Sequence, residues 1–186
     1  LAVRHAIAME RDEFARLDPE KAEGSPAASD SLRPLTEAGS RKMSDGAIGL
    51  GRLIKEPTAL FSSPFARARS TAEILADRAW PGLEIAVRAE LTPDRHPAEI
   101  AAFLKARMGR RREAYRREAN GCFVLVGHEP HLSLTIGWLL TGDEEPLVVL
   151  KKGGACLLEF DGPPEPGAGR LLWLMTPKQL KLIGRG

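Results

Sequence analysis

Leu1-Ala2-Val3-Arg4-His5-Ala6 opens the chain, and in this stretch a short apolar run is followed at once by an arginine and a histidine. The pattern is typical of a buried strand whose last residues reach the edge of a sheet, where a loop can hold a ligand. By itself, an Arg-His pair at a strand end is more often a solvated terminus than a binding site. The interpretation as a site therefore depends on whether the arrangement occurs again.

The arrangement occurs a second time after an apolar run at residues 58–61. There Ser63 can cap a helix and Pro64 can occupy its first position, and the predicted helix exposes Arg67 in its first turns. A third case follows residues 122–126, a continuous apolar run typical of a strand covered on both faces. This run ends at Gly127-His128-Glu129-Pro130, where Pro130 again begins a predicted helix.

The other patterns predict the remaining elements. Residues 10–34 are polar, which predicts a long loop with one short helical patch at residues 11–17. A helix that Thr36 caps contains four glycines, so it must rely on packing. The expected elements after residue 80 are a weak strand at 84–87, a loop at 90–97, a helix at 98–118, a hairpin of 155–160 and 170–175, and a last helix that Thr176 caps and that ends near residue 183.

Alternation of strands and helices predicts an α/β fold, a three-layer α/β/α sandwich with a mostly parallel central sheet, as a single domain over residues 1–186. With 43% hydrophobic and 28% charged residues, the chain has the composition of a globular protein. Its apolar runs are too short to span a membrane and no signal-peptide pattern is visible, so we expect a cytoplasmic protein without a membrane partner.

Charge and cysteine content exclude further classes. A net charge of +2 does not indicate a nucleic-acid partner. Cys122 and Cys156 each lie in an apolar run, which predicts buried thiols and neither a disulfide nor a metal site. The arginine-rich run at residues 107–117 is either a solvated helix face or a docking surface for an acidic partner, and both interpretations stay open.

Ligands of such sheets bind beyond the carboxyl ends of the strands, so we expect Arg4, His5, Arg67 and His128 to converge. Two arginines and two imidazoles suit a phosphoryl group, because the guanidinium fork matches phosphate oxygens and imidazole is a nucleophile at neutral pH. No side chains have the spacing of metal ligands, and the chemistry requires no cofactor.

Four motifs of this chain resemble those of the histidine phosphatase superfamily, which has the phosphoglycerate mutase-like fold. The resemblance is strongest to its SixA-type phosphohistidine phosphatases. The resemblance covers nearly the whole chain in order and includes Glu90-Leu91-Thr92-Pro93 and Lys151-Lys152-Gly153-Gly154. The four motifs are Val3-Arg4-His5-Ala6, Arg33-Pro34-Leu35-Thr36, Ser63-Pro64-Phe65-Ala66-Arg67-Ala68 and Val126-Gly127-His128-Glu129-Pro130.

The resemblance implies that His5 is the nucleophile and that Arg4, Arg67 and His128 bind the phosphoryl group. Ala6 stands where the superfamily often has glycine. Many members present a general acid from the loop that corresponds to residues 90–96, where Asp94 is the first candidate and Glu90 the second, although either can be an ordinary loop carboxylate. The residues expected to contact substrate at the rim are Arg33, Glu90 and His131.

The sequence thus predicts a phosphatase that works through phosphorylated His5, with phosphohistidine on a protein as its substrate and a monomer as the default state. The first alternative is a phosphatase of small phosphate esters, which needs a working acid at residues 90–94. The second is a phosphoprotein-binding module without turnover that docks through residues 107–117. A phosphomutase is less compatible with a chain that leaves little room for segments enclosing the substrate.

Overall fold

A central six-stranded sheet organises the computed structural model, which describes residues 1–22, 26–109 and 121–186. Its strands lie in the order β3-β2-β4-β1-β5-β6. The first four strands run parallel, and β5 and β6 form an antiparallel hairpin beside β1. The strands are β1 (Ala2–Arg4), β2 (Pro57–Ser62), β3 (Ile85–Val87), β4 (Cys122–Gly127), β5 (Ala155–Glu159) and β6 (Arg170–Met175).

Helices cover both faces of this sheet. Side chains of α4, α5 and α8 pack on one face around Val3 and Val126, and side chains of α6 and α7 pack on the other. The predicted three-layer sandwich with a mostly parallel sheet is therefore confirmed. The described helices are α1 (Arg11–Leu17), α2 (Pro19–Ala22), α3 (Pro26–Leu32), α4 (Glu37–Leu53), α5 (Ala66–Arg78), α6 (Pro97–Gly109), α7 (His131–Thr141) and α8 (Pro177–Arg185), with a 3₁₀ turn at Ala89–Leu91.

The continuous apolar run of β4 follows from its central position. Val124 and Val126 point into the core formed with α4, α5 and α8, whereas Phe123 and Leu125 pack with α6 on the opposite face. Because successive side chains of a strand point to opposite faces, a strand covered on both sides must be apolar throughout.

Strand register brings the three predicted strand ends to one level. Val3 lies opposite Val126, and Ser62 lies opposite Val126 on the other side of β4. Two backbone hydrogen bonds continue the pairing past the strands: His5 N–H donates to Gly127 O and Ser63 N–H donates to Val126 O, each at 3.0 Å. The residues after β1, β2 and β4 therefore meet at one edge of the sheet.

Several predicted boundaries were wrong or incomplete. The described residues of segment 10–34 form three short helices where one was expected, with Pro19 and Pro26 as the first residues of α2 and α3. Helix α5 begins at Ala66, two residues after Pro64, and Phe65 is its N-cap. Arg67 is buried, not exposed.

The caps of α4 and α8 agree with the sequence. Thr36 accepts a hydrogen bond from Gly39 N–H, and Thr176 forms a capping box with Gln179. Helix α8 extends to Arg185, two residues beyond the predicted end. Helix α6 is described only to Gly109, so most of the basic run at 107–117 lies outside the described residues.

Both cysteines are free, and burial raises the pKa of the Cys156 thiol to about 11. The apolar run around Cys122 predicts a buried thiol, but in the structure Cys122 is only half-buried. In the part of the chain that the structure describes, no helix is both long and apolar enough to cross a lipid bilayer.

Candidate active site

His5 lies directly after β1 and is only 6% exposed. Its Nδ1 is 2.7 Å from the carbonyl oxygen of Ala6, and its Nε2 is 3.3 Å from Nε of Arg67. A carbonyl only accepts and a guanidinium only donates. These two contacts therefore assign the proton to Nδ1 and leave the lone pair on Nε2, which points at Arg67.

Arg67 reaches His5 from the first turn of α5, where it is buried. Thr71, one turn later, ties this helix to the end of β1, because its hydroxyl accepts a hydrogen bond from Ala6 N–H at 3.0 Å and donates to Arg67 O at 2.7 Å. The strand end and the helix that carries the arginine are thus held together by one side chain.

Arg4 precedes His5 and is fixed by the turn that leads into β5. Its Nη1 donates to Leu150 O at 2.8 Å. Gly153 N–H lies 3.1 Å from the carbonyl oxygens of both Arg4 and His5. Gly153 has a φ of +76°, a backbone conformation that residues other than glycine rarely adopt. This explains the glycine in this turn.

His128 follows β4 and is 1% exposed. Its Nε2 lies 2.8 Å from the hydroxyl of Ser63, and its ring centroid is 5.0 Å from that of His5. The structure thus brings Arg4, His5, Arg67 and His128 together, as the strand-end pattern predicted. Ser63 lies in this cluster as well, although the sequence suggested only a helix cap.

Burial sets the charge of the two imidazoles. It lowers the pKa of His5 from 6.5 to about 3, with a further contribution from the positive charge of Arg67. Burial likewise lowers the pKa of His128 to about 2, and His5 and Arg67 add to this effect. Both rings are therefore neutral at physiological pH, and the lone pair of His5 is available.

Asp30 is a further residue of this cluster that sequence reasoning missed. Its carboxylate Oδ2 lies 2.8 Å from Nη2 of Arg67, and its backbone carbonyl accepts from Nη1 at 2.6 Å. Burial acts to raise the pKa of Asp30, but Arg67, Arg11 and Arg33 outweigh this effect and hold it at about 2. Its position in α3, in a segment without a local pattern, gave no signal.

Arg33, predicted at the rim, is bound to Asp30. Its Nη2 and Nε lie 2.8 and 2.9 Å from Asp30 Oδ1, and its Nη1 donates to Met9 O. Arg11 contacts the same oxygen at 3.0 Å. Asp30 is therefore the common partner of three arginines.

The two acid candidates lie in the turn before α6. Asp94 is exposed, and the Thr92 side chain and the Asp94 backbone lower the pKa of its carboxyl. Glu90 pairs with Arg88 at 2.6 Å; partial burial acts to raise its pKa, but backbone and Arg88 contacts leave it below the usual value. Both carboxyls are ionised at neutral pH, whereas a general acid must carry a proton. The acid role of Asp94 stays a prediction.

His131, another predicted rim residue, is the first residue of α7 and is 1% exposed. Neither ring nitrogen has a hydrogen-bond partner among the described residues, and burial lowers its pKa. A side chain so enclosed lies beneath the surface and not at a rim. Among the described residues, no group of three or more His, Cys, Asp or Glu side chains is placed to hold a metal ion.

Similarity in sequence relates this chain to a known phosphatase. No protein-family model matches the chain. The phosphohistidine phosphatase SixA of Escherichia coli K12 is 29% identical over 159 residues, which cover 84% of this chain and 89% of that protein.

Solved structures give the same result at the level of the fold. The protein histidine phosphatase SixA in complex with tungstate superposes with a TM-score of 0.71 at 24% identity, over 96% of this chain and 97% of the other. A putative SixA from Agrobacterium tumefaciens gives 0.64 at 20% identity, over 95% and 96%. A phosphoglycerate mutase from Bacillus anthracis gives 0.59 at 14% identity, over 100% and 95%.

These similarities confirm the predicted phosphoglycerate mutase-like fold and the predicted resemblance to SixA-type proteins. Together, the similarity in sequence and the shared fold support a hydrolase of the histidine phosphatase type.

Proposed function

We propose that this chain is a phosphatase that takes a phosphoryl group onto Nε2 of His5 and then transfers it to water, and that its substrate is phosphohistidine on a protein. The observation that carries the proposal is the assigned tautomer of His5, whose protonated Nδ1 faces the Ala6 carbonyl and whose Nε2 lone pair faces Arg67. Similarity to SixA supports the same substrate.

In the first step the Nε2 lone pair forms a bond to phosphorus while the bond from phosphorus to the leaving nitrogen breaks. The leaving imidazole takes that electron pair and a proton from solvent. His5 becomes an imidazolium, and the Ala6 carbonyl stabilises its Nδ1–H. Arg4 and Arg67 supply positive charge for the phosphoryl oxygens, which is the main requirement of phosphoryl transfer.

In the second step a water oxygen attacks phosphorus and the bond to Nε2 breaks. The electron pair returns to Nε2, inorganic phosphate leaves, and the surplus proton passes to solvent. Burial disfavours a positively charged ring, so loss of the phosphoryl group returns His5 to the neutral form that this site favours.

The state of the two loop carboxyls supports the proposed substrate class. Asp94 and Glu90 are both ionised at neutral pH, so neither holds a proton for a leaving alkoxide. An imidazole leaves readily once solvent has protonated it, so phosphohistidine requires this help less than an alcohol ester does. The site therefore supports a phosphohistidine substrate better than an alkyl phosphate.

The test compares phosphate release from a phosphohistidine-bearing carrier protein with release from an alkyl phosphate, whose alkoxide leaving group needs a proton. We expect rapid release from the carrier, little from the ester, and none from either with His5→Ala. Rapid quenching in alkaline detergent should trap phosphate on the wild-type chain in an acid-labile, base-stable form.

Asp94→Asn and Glu90→Gln serve as matched variants for the substrate. We expect each variant to hydrolyse the carrier at a rate within a few-fold of the wild-type rate. Loss of a general acid would instead lower the rate at least about a hundredfold. A hundredfold loss, or turnover of the ester without the carrier, would favour the small-ester phosphatase. Binding of the carrier without any release would favour the binding module.

A further inference from the structure

We propose that Asp30 is a positioning residue that holds the guanidinium of Arg67 in line with Nε2 of His5; this inference rests on the proposed function. Three contacts define the orientation of Arg67. Its Nη1 and Nη2 are bound by the backbone carbonyl and the carboxylate of Asp30, and its Nε–H is left pointing at His5.

The arrangement leaves donors free for substrate. A guanidinium carries five N–H bonds. Asp30 takes one from each terminal nitrogen, so each retains a second N–H, and the Nε–H that faces His5 can donate to a phosphoryl oxygen that arrives there. The phosphoryl group can therefore bind Arg67 without displacing the carboxylate of Asp30. For this reason we propose that Asp30 positions Arg67 and does not compete with the substrate for it.

Charge supports the same role. Asp30 is one carboxylate among Arg67, Arg11 and Arg33, so the cluster stays positive even with Asp30 ionised. Both Asp30 and the Arg67 side chain are at least nine-tenths buried, at 8% and 5% exposure. A buried charge pair with several hydrogen bonds has a fixed geometry, and a catalytic group displaced by about 1 Å can lose about a hundredfold in rate.

Asp30→Asn tests the proposal because it removes the charge and keeps the shape. We expect kcat for the phosphohistidine carrier to fall ten- to a hundredfold while KM changes less than threefold. Asp30→Glu, which restores the carboxylate, should recover part of kcat. Asp18→Asn, which removes a half-buried carboxylate paired with Lys21 in the same segment, should leave kcat unchanged.

A second measurement needs no substrate. In ¹H–¹⁵N spectra of the free protein, Arg67 Nε–H should give a slowly exchanging signal, assigned by its loss in Arg67→Lys. Asp30→Asn should broaden it or remove it. A wild-type kcat in Asp30→Asn, or an unchanged Arg67 signal, overturns the positioning role. If the wild-type protein releases no phosphate, the proposed function is wrong. In that case, loss of the Arg67 signal in Asp30→Asn would still support the positioning of Arg67.

Discussion

Ser63 and His128 make one of the shortest contacts between side chains in the site. The Ser63 hydroxyl lies 2.8 Å from Nε2 of a buried imidazole, and the same hydroxyl accepts from Phe65 N–H at 3.3 Å. The hydroxyl therefore fixes both the ring of His128 and the chain that enters α5. We infer that Ser63 orients His128 toward the phosphoryl group.

Ser63→Ala should lower kcat/KM for a phosphohistidine carrier about fivefold, since loss of a hydrogen bond that leaves a buried ring nitrogen unpaired costs about 1 kcal/mol. Steady-state kinetics at several carrier concentrations measure this effect. Ser70→Ala, on the surface of α5, is the control and should match the wild type. A Ser63→Ala protein with full activity would show that His128 is held by packing alone.

Local sequence carries the main site residues but not their partners. Arg4, His5 and His128 each follow an apolar run directly, so a strand-end pattern finds them. The contact of Asp30 with Arg67 spans 37 positions and that of Ser63 with His128 spans 65, and nothing in the local pattern specifies either pair. Those residues become visible only once the sheet has brought distant loops together.

At the scale of elements, two glycines of α4, Gly46 and Gly49, lie against α8. A Cβ added at Gly49 would overlap the backbone carbonyl of Leu180, whereas one added at Gly46 would lie 3.7 Å from the Cβ of Leu180, an ordinary contact. The expectation that this glycine-containing helix relies on packing is confirmed, because close approach of α8 needs the missing side chain at Gly49.

Gly49→Ala and Gly46→Ala should therefore have opposite effects on the free energy of unfolding. We expect Gly49→Ala to lower it by about 1–3 kcal/mol, because backbone must move to admit the methyl group. Gly46→Ala should raise it by up to about 1 kcal/mol, from the better helix propensity of alanine. Urea unfolding of both variants measures the difference. Equal effects at the two positions would mean that α8 shifts without cost.

Elements with strong local signals were predicted well, and short polar ones were not. Thr36 and Thr176 are hydroxyl caps ahead of amphipathic patterns, so both helix starts were found. Helices α2 and α3 have no apolar stripe, and α3 is fixed instead by the ion pairs of Asp30. Helix α5 starts after Pro64 because the Ser63 side chain bonds His128 and Phe65 N–H outside the helix.

The whole molecule should lose stability in mild acid. The unfolded chain binds a proton at His5 and at His128 near pH 6.5, while the folded protein binds them only near pH 3 and pH 2. Since the unfolded state holds more protons in this range, the free energy of unfolding falls as the pH drops below 6.5. Each histidine contributes about 1.4 kcal/mol per pH unit between these limits.

His128→Gln isolates this contribution. Between pH 6 and pH 4 the variant should show a slope of unfolding free energy against pH that is shallower by about 1.4 kcal/mol per unit than in the wild type. Chemical denaturation at fixed pH values measures both slopes. Above pH 7 the slopes should coincide, and identical slopes below pH 6 would mean that folded His128 titrates normally.

The position of β1 has a consequence for how the chain is made. Ala2 lies opposite Leu125 of β4 on one side and opposite Cys156 of β5 on the other. During synthesis, β1 and the His5 that follows it leave the ribosome before both neighbouring strands, which come more than a hundred residues later in the chain. Pairings between strands so far apart in the sequence form slowly, and an apolar strand is prone to aggregate until it is paired. A nascent chain released before residue 122 would thus carry the proposed nucleophile without His128 and without the two strands that flank β1.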